Sequence, residues 1–221
     1  MSVYAVSDLH GSIDLFHKIL AILNPDDILY CLGDVCDRGL YGYDMMKQIL
    51  ENPQIIYLKG NHEQMFVDAA RQMNKNRFCE DYPETDDINL HRCNGGKYTI
   101  HSWLKDNLPM DIVDKLDNLP EKAEYINKDG VKIVMTHSGG LKDYLWDRSH
   151  FTRPTKEKNT VIVHGHTPIP YLPFLKNKEN IEAPCWYADN TKVDIDCGCF
   201  ASGMTVLLNL DSFQAIPITN D

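Results

Sequence analysis

The chain has 221 residues, 43% of them hydrophobic and 24% charged. That composition is ordinary for a globular domain with a sizeable core, and it excludes a low-complexity or disordered polypeptide. A formal net charge of −10 argues against nonspecific nucleic-acid binding, which draws on clustered Lys and Arg to neutralise phosphates.

No stretch approaches the roughly 18 consecutive apolar residues that a membrane span requires. Met1-Ser2 lead directly into Val3-Tyr4-Ala5-Val6, without the basic region, apolar stretch and cleavage site of a leader, so a cytoplasmic location is expected. The seven cysteines are scattered and form no C-x-x-C, which reads as reduced thiols rather than a disulfide framework.

From the N-terminus, apolar runs at 3–7, 28–32 and 55–58 predict strands, and the spacing of Ile13, Phe16, Ile19, Leu20 and Leu23 predicts a helix with Ser12 as N-cap. A second helix is predicted over 43–50. Each of these strands runs into a cluster of polar residues. Ligands collect at the carboxyl ends of strands in open α/β sheets, so Asp8, Asp34 and Asn61 are expected to meet along one edge. Residues 71–87 lose the apolar pattern, and a cap insertion over the site is expected around 71–94. Gly95-Gly96 fit a close approach of backbone to a neighbour. A segment to about 107 and another over 111–119 follow. In the second half, strands are predicted at 123–127 and 131–136 around an Asp129-Gly130 hairpin, then at 161–163, 193–195, 204–210 and 213–216. Residues 156–159 and 176–179 read as solvated loops. The pattern predicts one domain over 1–221, a β-sandwich with helices outside.

Five motifs carry the chemistry: Asp8-Leu9-His10-Gly11, Gly33-Asp34-Val35-Cys36-Asp37-Arg38-Gly39, Gly60-Asn61-His62-Glu63, a lone His137 after a strand, and Gly165-His166-Thr167-Pro168. Two divalent cations about 3.5–4 Å apart need anionic oxygens and neutral nitrogens converging from several loops. A mixed Asp, Asn and His set suits first-row metals. Manganese is expected first, with iron, zinc, nickel or magnesium behind it.

In this order the motifs resemble the calcineurin-type metallophosphoesterase superfamily, and within it the phosphoprotein phosphatase family of serine/threonine phosphatases in its small bacterial and phage form. The resemblance runs from Asp8 to about Gly203. It implies an α/β metallophosphoesterase fold, a two-sheet mixed β-sandwich flanked by helices in four αββα layers. It further implies that Asp8 and His10 bind one metal, that Asp34 bridges, and that Asn61, His137 and His166 complete the second. His62 is then the general acid, Asp37 its orienting partner, and Arg38 and Arg148 the grip on the phosphate oxygens. The implied activity is phosphomonoester hydrolysis by direct attack of a bimetal-bridging hydroxide. The expected substrates are proteins phosphorylated on serine or threonine, and on tyrosine as a further class.

Two rival readings stand beside this one. A symmetrical dinucleoside tetraphosphate hydrolase shares almost every ligand, and Glu63, where that class often carries Asp, leans toward the protein phosphatases. A non-catalytic scaffold of the same fold would lack ligands or the acid, and here every such position is filled. Lys59 stands where many phosphoprotein phosphatases have Arg, which removes bidentate geometry. Pro168 stands where other superfamily branches place a metal-binding His. His164 is expected to pack or support rather than to bind metal. His17, His91, His101 and His150 are expected to be surface or helix residues without a functional role.

Overall fold

The apolar runs that precede the first three motifs become short parallel strands, and each ends where the polar residues begin. In chain order the first half contains β1 (Val3–Val6), α1 (Ile13–Ile22), β2 (Ile28–Cys31), α2 (Gly42–Glu51), β3 (Ile55–Tyr57) and α3 (Asn61–Lys75). It continues with α4 (Asp86–Cys93), α5 (Lys97–Lys105) and α6 (Met110–Asp117). The second half contains β4 (Lys122–Ile126), β5 (Lys132–Thr136), β6 (Thr160–His164), a 3₁₀ turn (Ile169–Tyr171), β7 (Cys185–Tyr187) and β8 (Lys192–Asp194). The short α7 (Cys199–Ser202) and strands β9 (Met204–Asn209) and β10 (Ala215–Thr219) follow. The computed structural model describes residues 1–75, 85–175 and 183–220.

The strands form two mixed five-stranded sheets, ordered β10-β9-β1-β2-β3 and β4-β5-β6-β8-β7. Strands β1, β2 and β3 are parallel to one another, as are β5, β6 and β8. Alternation along each strand sorts side chains between two cores. Ala5, Tyr30, Leu32, Val206 and Leu208 meet Ile133, Met135, Val163 and Val193 between the sheets. Val6, Leu29, Cys31 and Leu207 face the other way, against Phe16, Met46, Phe66, Trp103 and Val113 of the helices. Strands β1 and β2 are thus covered on both faces, which explains why they read as continuous apolar runs.

The predicted hairpin forms, with Lys122 opposite Thr136 and Ile126 opposite Lys132. Its turn is closed by Asn127, whose Oδ1 accepts the N–H groups of Asp129 (3.1 Å) and Val131 (2.9 Å).

Several local expectations need correction. Ser12 occupies the N-cap position of α1, but its hydroxyl makes no capping bond and instead lies 3.3 Å from the Cys199 thiol. The described ends of the expected insertion are helical, residues 71–75 being the last turn of α3 and Asp86–Cys93 forming α4. The middle of the expected insertion, 76–84, and the loop at 176–179 lie outside the described residues. Strand β7 was not anticipated. No helix among the described residues is long and apolar enough to cross a membrane.

Candidate metal centre

Five strand ends supply the site. Strand β1 delivers Asp8 and His10, β2 delivers Asp34, Asp37 and Arg38, β3 delivers Asn61 and His62, β5 delivers His137, and β6 delivers His166. The first two loops are laced together: the N–H groups of Asp8, His10 and Gly11 donate to the carbonyls of Gly33 (3.1 Å), Asp34 (3.0 Å) and Val35 (2.8 Å). The second and third loops touch through glycine. A Cβ on Gly33, whose φ is +94°, would fall 2.5 Å from the Gly60 backbone, so the two loops can approach only without side chains.

The backbone is strained where the ligands sit. Asp8 (φ 55°), His10 (43°), Asp34 (55°), Asp37 (67°), Arg38 (61°) and His166 (72°) are all left-handed. Each such non-glycine residue costs on the order of 1–3 kcal/mol, a cost met by surrounding bonds and typical of functional sites.

Asp34 stands at the centre. Together with His10 and His62 it forms one group whose ligand atoms all lie within 4.8 Å of one another, and with His137 and His166 it forms a second. Its Oδ2 is 3.8 Å from Nε2 of both His10 and His62, and its Oδ1 is 3.3 Å from Nε2 of His137. His10 and His137 each direct Nδ1 at a backbone carbonyl, Cys36 O at 2.9 Å and Leu32 O at 2.8 Å. Donation there sets the tautomer: a neutral ring presents its Nε2 lone pair toward Asp34, the usual arrangement behind metal-binding imidazoles, whereas a charged His137 presents an Nε2–H to it. Around His137 Nε2 then gather only acceptors or unprotonated nitrogens: Asn61 Oδ1 at 2.9 Å, His166 Nδ1 at 3.1 Å and Asp34 Oδ1 at 3.3 Å. Such a cluster asks for a positive charge at its middle.

The titration behaviour says the same. Burial opposes a charge on His137, but the Asp34 carboxylate outweighs it and pushes the ring up to about 10. Burial and the neighbouring Asp34 push Asp8 up to about 6 despite an opposing contribution from His137. Burial holds His10 down at about 3 and His166 at about 2, both neutral and able to donate a lone pair. His166 Nε2 is also buried without a hydrogen-bond partner. The donor set therefore fits two hard-to-borderline divalent cations, which invert the local charge balance when present.

Asp8 falls outside both three-residue groups. Its Oδ2 accepts the Ser7 hydroxyl and the His166 N–H (2.9 Å), which ties the first loop to the last. His62 instead joins His10 and Asp34. Its Nδ1 is bonded to Asp37 Oδ2 at 2.8 Å, and its Nε2 lies 3.3 Å from Arg38 Nη2. Burial opposes protonation of His62, yet Asp34 and Asp37 together raise its pKa. Arg38 and Arg148 are both exposed, and Arg148 Nε donates to Thr167 Oγ1 at 3.1 Å, beside His166.

Three features were not legible in the sequence. Glu63 is fully buried, and its carboxylate accepts the N–H groups of Asp34, Val35 and Gly60 and the Tyr57 hydroxyl, all at 2.8 Å. It clamps the second loop to the third. His91, expected to lack a role, is buried on α4 with Nε2 2.8 Å from Asp37 Oδ1. His150, also expected to be a surface or helix residue, is buried in a loop with Nδ1 3.1 Å from Lys192 Nζ and Nε2 2.6 Å from Ser138 O. His17 and His101 are exposed. His164 bonds the Tyr187 hydroxyl (2.6 Å) and belongs to neither ligand group. Lys59 turns away from the site, donating to Asp117 O at 2.7 Å at the end of α6.

A buried carboxylate lies between two imidazole-bearing groups of potential metal ligands at the strand ends of a two-sheet α/β sandwich. The chain belongs to the calcineurin-like phosphoesterase family, which matches residues 1–195. Serine/threonine-protein phosphatase 2 of Salmonella typhimurium (strain LT2) is 36% identical over 225 residues, covering 91% of this chain and 89% of that protein. The protein of the same name from Escherichia coli (strain K12) is matched over only 57% of its length. Symmetrical bis(5'-nucleosyl)-tetraphosphatase of Yersinia pestis (strain Pestoides F) is 24% identical over 183 residues, 76% of this chain and 52% of that one. The fold is also that of a metallophosphoesterase from Sphaerobacter thermophilus, with a TM-score of 0.60 at 13% identity over 100% of this chain and 89% of that one.

Proposed function

We propose that this chain, as one catalytic domain, is a dinuclear metal-dependent phosphomonoesterase that acts as a serine/threonine protein phosphatase and also accepts phosphotyrosine. The observation that carries the reading is Asp34, buried between two groups of imidazoles with the His62–Asp37 pair alongside. In this reading Asp8 and His10 hold one cation, Asp34 is shared, and Asn61, His137 and His166 hold the other, with manganese the preferred metal. Bound dications supply neutralisation of the phosphoryl oxygens and acidify water.

The remaining steps fall to side chains. Arg38 and Arg148 bind the non-bridging oxygens and fix the phosphorus for in-line attack by water. Asp37 accepts the Nδ1–H of His62 and stabilises its charged form, so Nε2 holds the proton that passes to the leaving oxygen. No side chain carries the phosphoryl group. The described cysteines are free thiols, in line with a reducing, cytoplasmic setting, and burial pushes Cys36 well above its usual range, which leaves it unreactive beside the site.

The reading is tested by assaying a phosphoserine and phosphothreonine peptide pool beside diadenosine tetraphosphate, at equal concentration, with the manganese-loaded protein. Faster peptide turnover, abolished by His62→Asn, is the expected result. Faster tetraphosphate cleavage moves the assignment to nucleotide hydrolysis, and turnover of neither by metal-loaded protein favours a scaffold.

A further inference from the structure

Asp37 has to satisfy two demands at once. It is wholly buried, so both carboxylate oxygens need donors. It must also keep one oxygen on His62, although the terminal torsion of an aspartate is soft. The two oxygens divide the work. Oδ2 takes His62 Nδ1 at 2.8 Å, while Oδ1 takes His91 Nε2 at 2.8 Å and the Thr99 hydroxyl at 2.7 Å. Thr99 Oγ1 accepts the Asp37 backbone N–H at 3.0 Å, closing a ring around a residue already held at φ 67°.

We propose that His91 is a positioning residue for the hydrolysis: by gripping Oδ1 of Asp37 it keeps Oδ2 on His62, and so aims Nε2 of His62 at the leaving oxygen. The proposal rests on the assignment of His62 as the acid.

His91 is itself held in place. Its ring packs against Phe66 with centroids 5.8 Å apart. On its other side a Cβ at Gly96 would overlap the ring atoms, so glycine there is what gives the imidazole its seat. The preceding Gly95 carbonyl accepts the Arg38 N–H at 3.0 Å, and a Cβ on Gly95 would press on Arg38 at 3.0 Å. The turn between α4 and α5 therefore sets both the acid, through His91 and Asp37, and the backbone of one phosphate-binding arginine. That assigns a purpose to the Gly95-Gly96 pair beyond a tight turn.

General acid catalysis matters most when the leaving oxygen is basic and little when it departs readily as an anion. Positioning of the acid is therefore read by comparing a phosphoserine peptide with 4-nitrophenyl phosphate. The manganese-loaded 221-residue chain is used as wild type, His62→Asn, His91→Phe and His91→Gln. Phe fills the place of the ring and removes only the donor; Gln restores an N–H. With general acids contributing about 10²–10⁴-fold, His62→Asn is expected to lose at least about 100-fold on the peptide. His91→Phe is expected to lose about 10-fold or more on the peptide while staying within about threefold of wild type on 4-nitrophenyl phosphate, and His91→Gln to recover part of the peptide rate. In the metal-free protein, NMR should show the His62 Nδ1–H bonded to Asp37 in wild type and His91→Gln, and lost or broadened in His91→Phe.

Equal losses on both substrates, or no loss on either, overturn the proposal while leaving the acid assignment standing if His62→Asn keeps its substrate dependence. If His62→Asn itself falls equally on both, the acid assignment fails and the proposal falls with it. Should His91→Phe not fold, as seen by thermal melting, the comparison is made on His91→Gln. A partial, peptide-selective loss supports positioning, and a wild-type peptide rate with the Nδ1–H bond absent contradicts it.

Discussion

Replacing Glu63 by Gln changes one oxygen into an amide without changing shape, and the structure sets what that costs. If Oε2 becomes the NH₂ group, the N–H groups of Asp34 and Gly60 face a donor; if Oε1 does, those of Val35 and Cys36 do, and only the Tyr57 hydroxyl can rotate to adapt. Either way two buried backbone donors lose their acceptor, each at about 1–3 kcal/mol. The expected destabilisation is about 2–6 kcal/mol, a large part of the roughly 5–15 kcal/mol that holds a domain folded. For a chain of this size that lowers Tm by about 4–24 °C. Urea unfolding in EDTA measures it free of metal binding. A loss below about 1 kcal/mol refutes the clamp. Manganese affinity is expected to fall as well, since the same bonds hold the loop that carries Asp34.

Other consequences are smaller. Arg38→Ala should lower kcat/KM roughly 10- to 150-fold, from the 1.5–3 kcal/mol of hydrogen bonds to a charged group, with Arg38→Lys recovering only part of it because the planar fork is lost; steady-state kinetics on a phosphopeptide decides. Asp27 is held below the ordinary carboxylate range by the N–H groups of Ser2 and Asn24 and the Asn24 amide. A depressed carboxyl stabilises the fold above its unfolded pKa and stops doing so as pH falls through its folded one. The Tm gap between wild type and Asp27→Asn should therefore be present at pH 7 and close on acidification below about 4, and a gap that widens contradicts the assignment. EDTA should lower Tm, by the mass action of a ligand that binds only the folded state; an unchanged Tm at saturating manganese contradicts a centre formed by folding.

What could be read from the sequence was what local pattern encodes. The strands before Asp8, Asp34 and Asn61, the hairpin at Asp129-Gly130 and the convergence of ligands on one edge follow from apolar runs, turn residues and α/β topology. Helix α3 was hidden because Asn61, His62, Glu63 and Gln64 open it, and their polar first turn masks the 3.6-residue rhythm that Phe66, Val67 and Ala70 carry on the buried face. Glu63 was read only as a marker between two substrate classes. Its partners are backbone N–H groups, which no side-chain pattern reveals, and its place behind the ligand loops makes it a determinant of loop geometry rather than of substrate choice. His91 meets Asp37 across 54 residues of sequence, a pairing set by the packing of α4 on α3. The approach at Gly95-Gly96 was visible, but not that Arg38 and the His91 ring fill the space.

In the proposed mechanism Asp34 is shared by two cations while His62, though within reach of one, serves as acid. Manganese content per folded chain, measured by elemental analysis after gel filtration for wild type, Asp34→Asn and His62→Asn, tests it most directly. Two ions in wild type and in His62→Asn, with loss from Asp34→Asn, is the predicted result; a single ion in wild type, or loss of an ion on replacing His62, would contradict it.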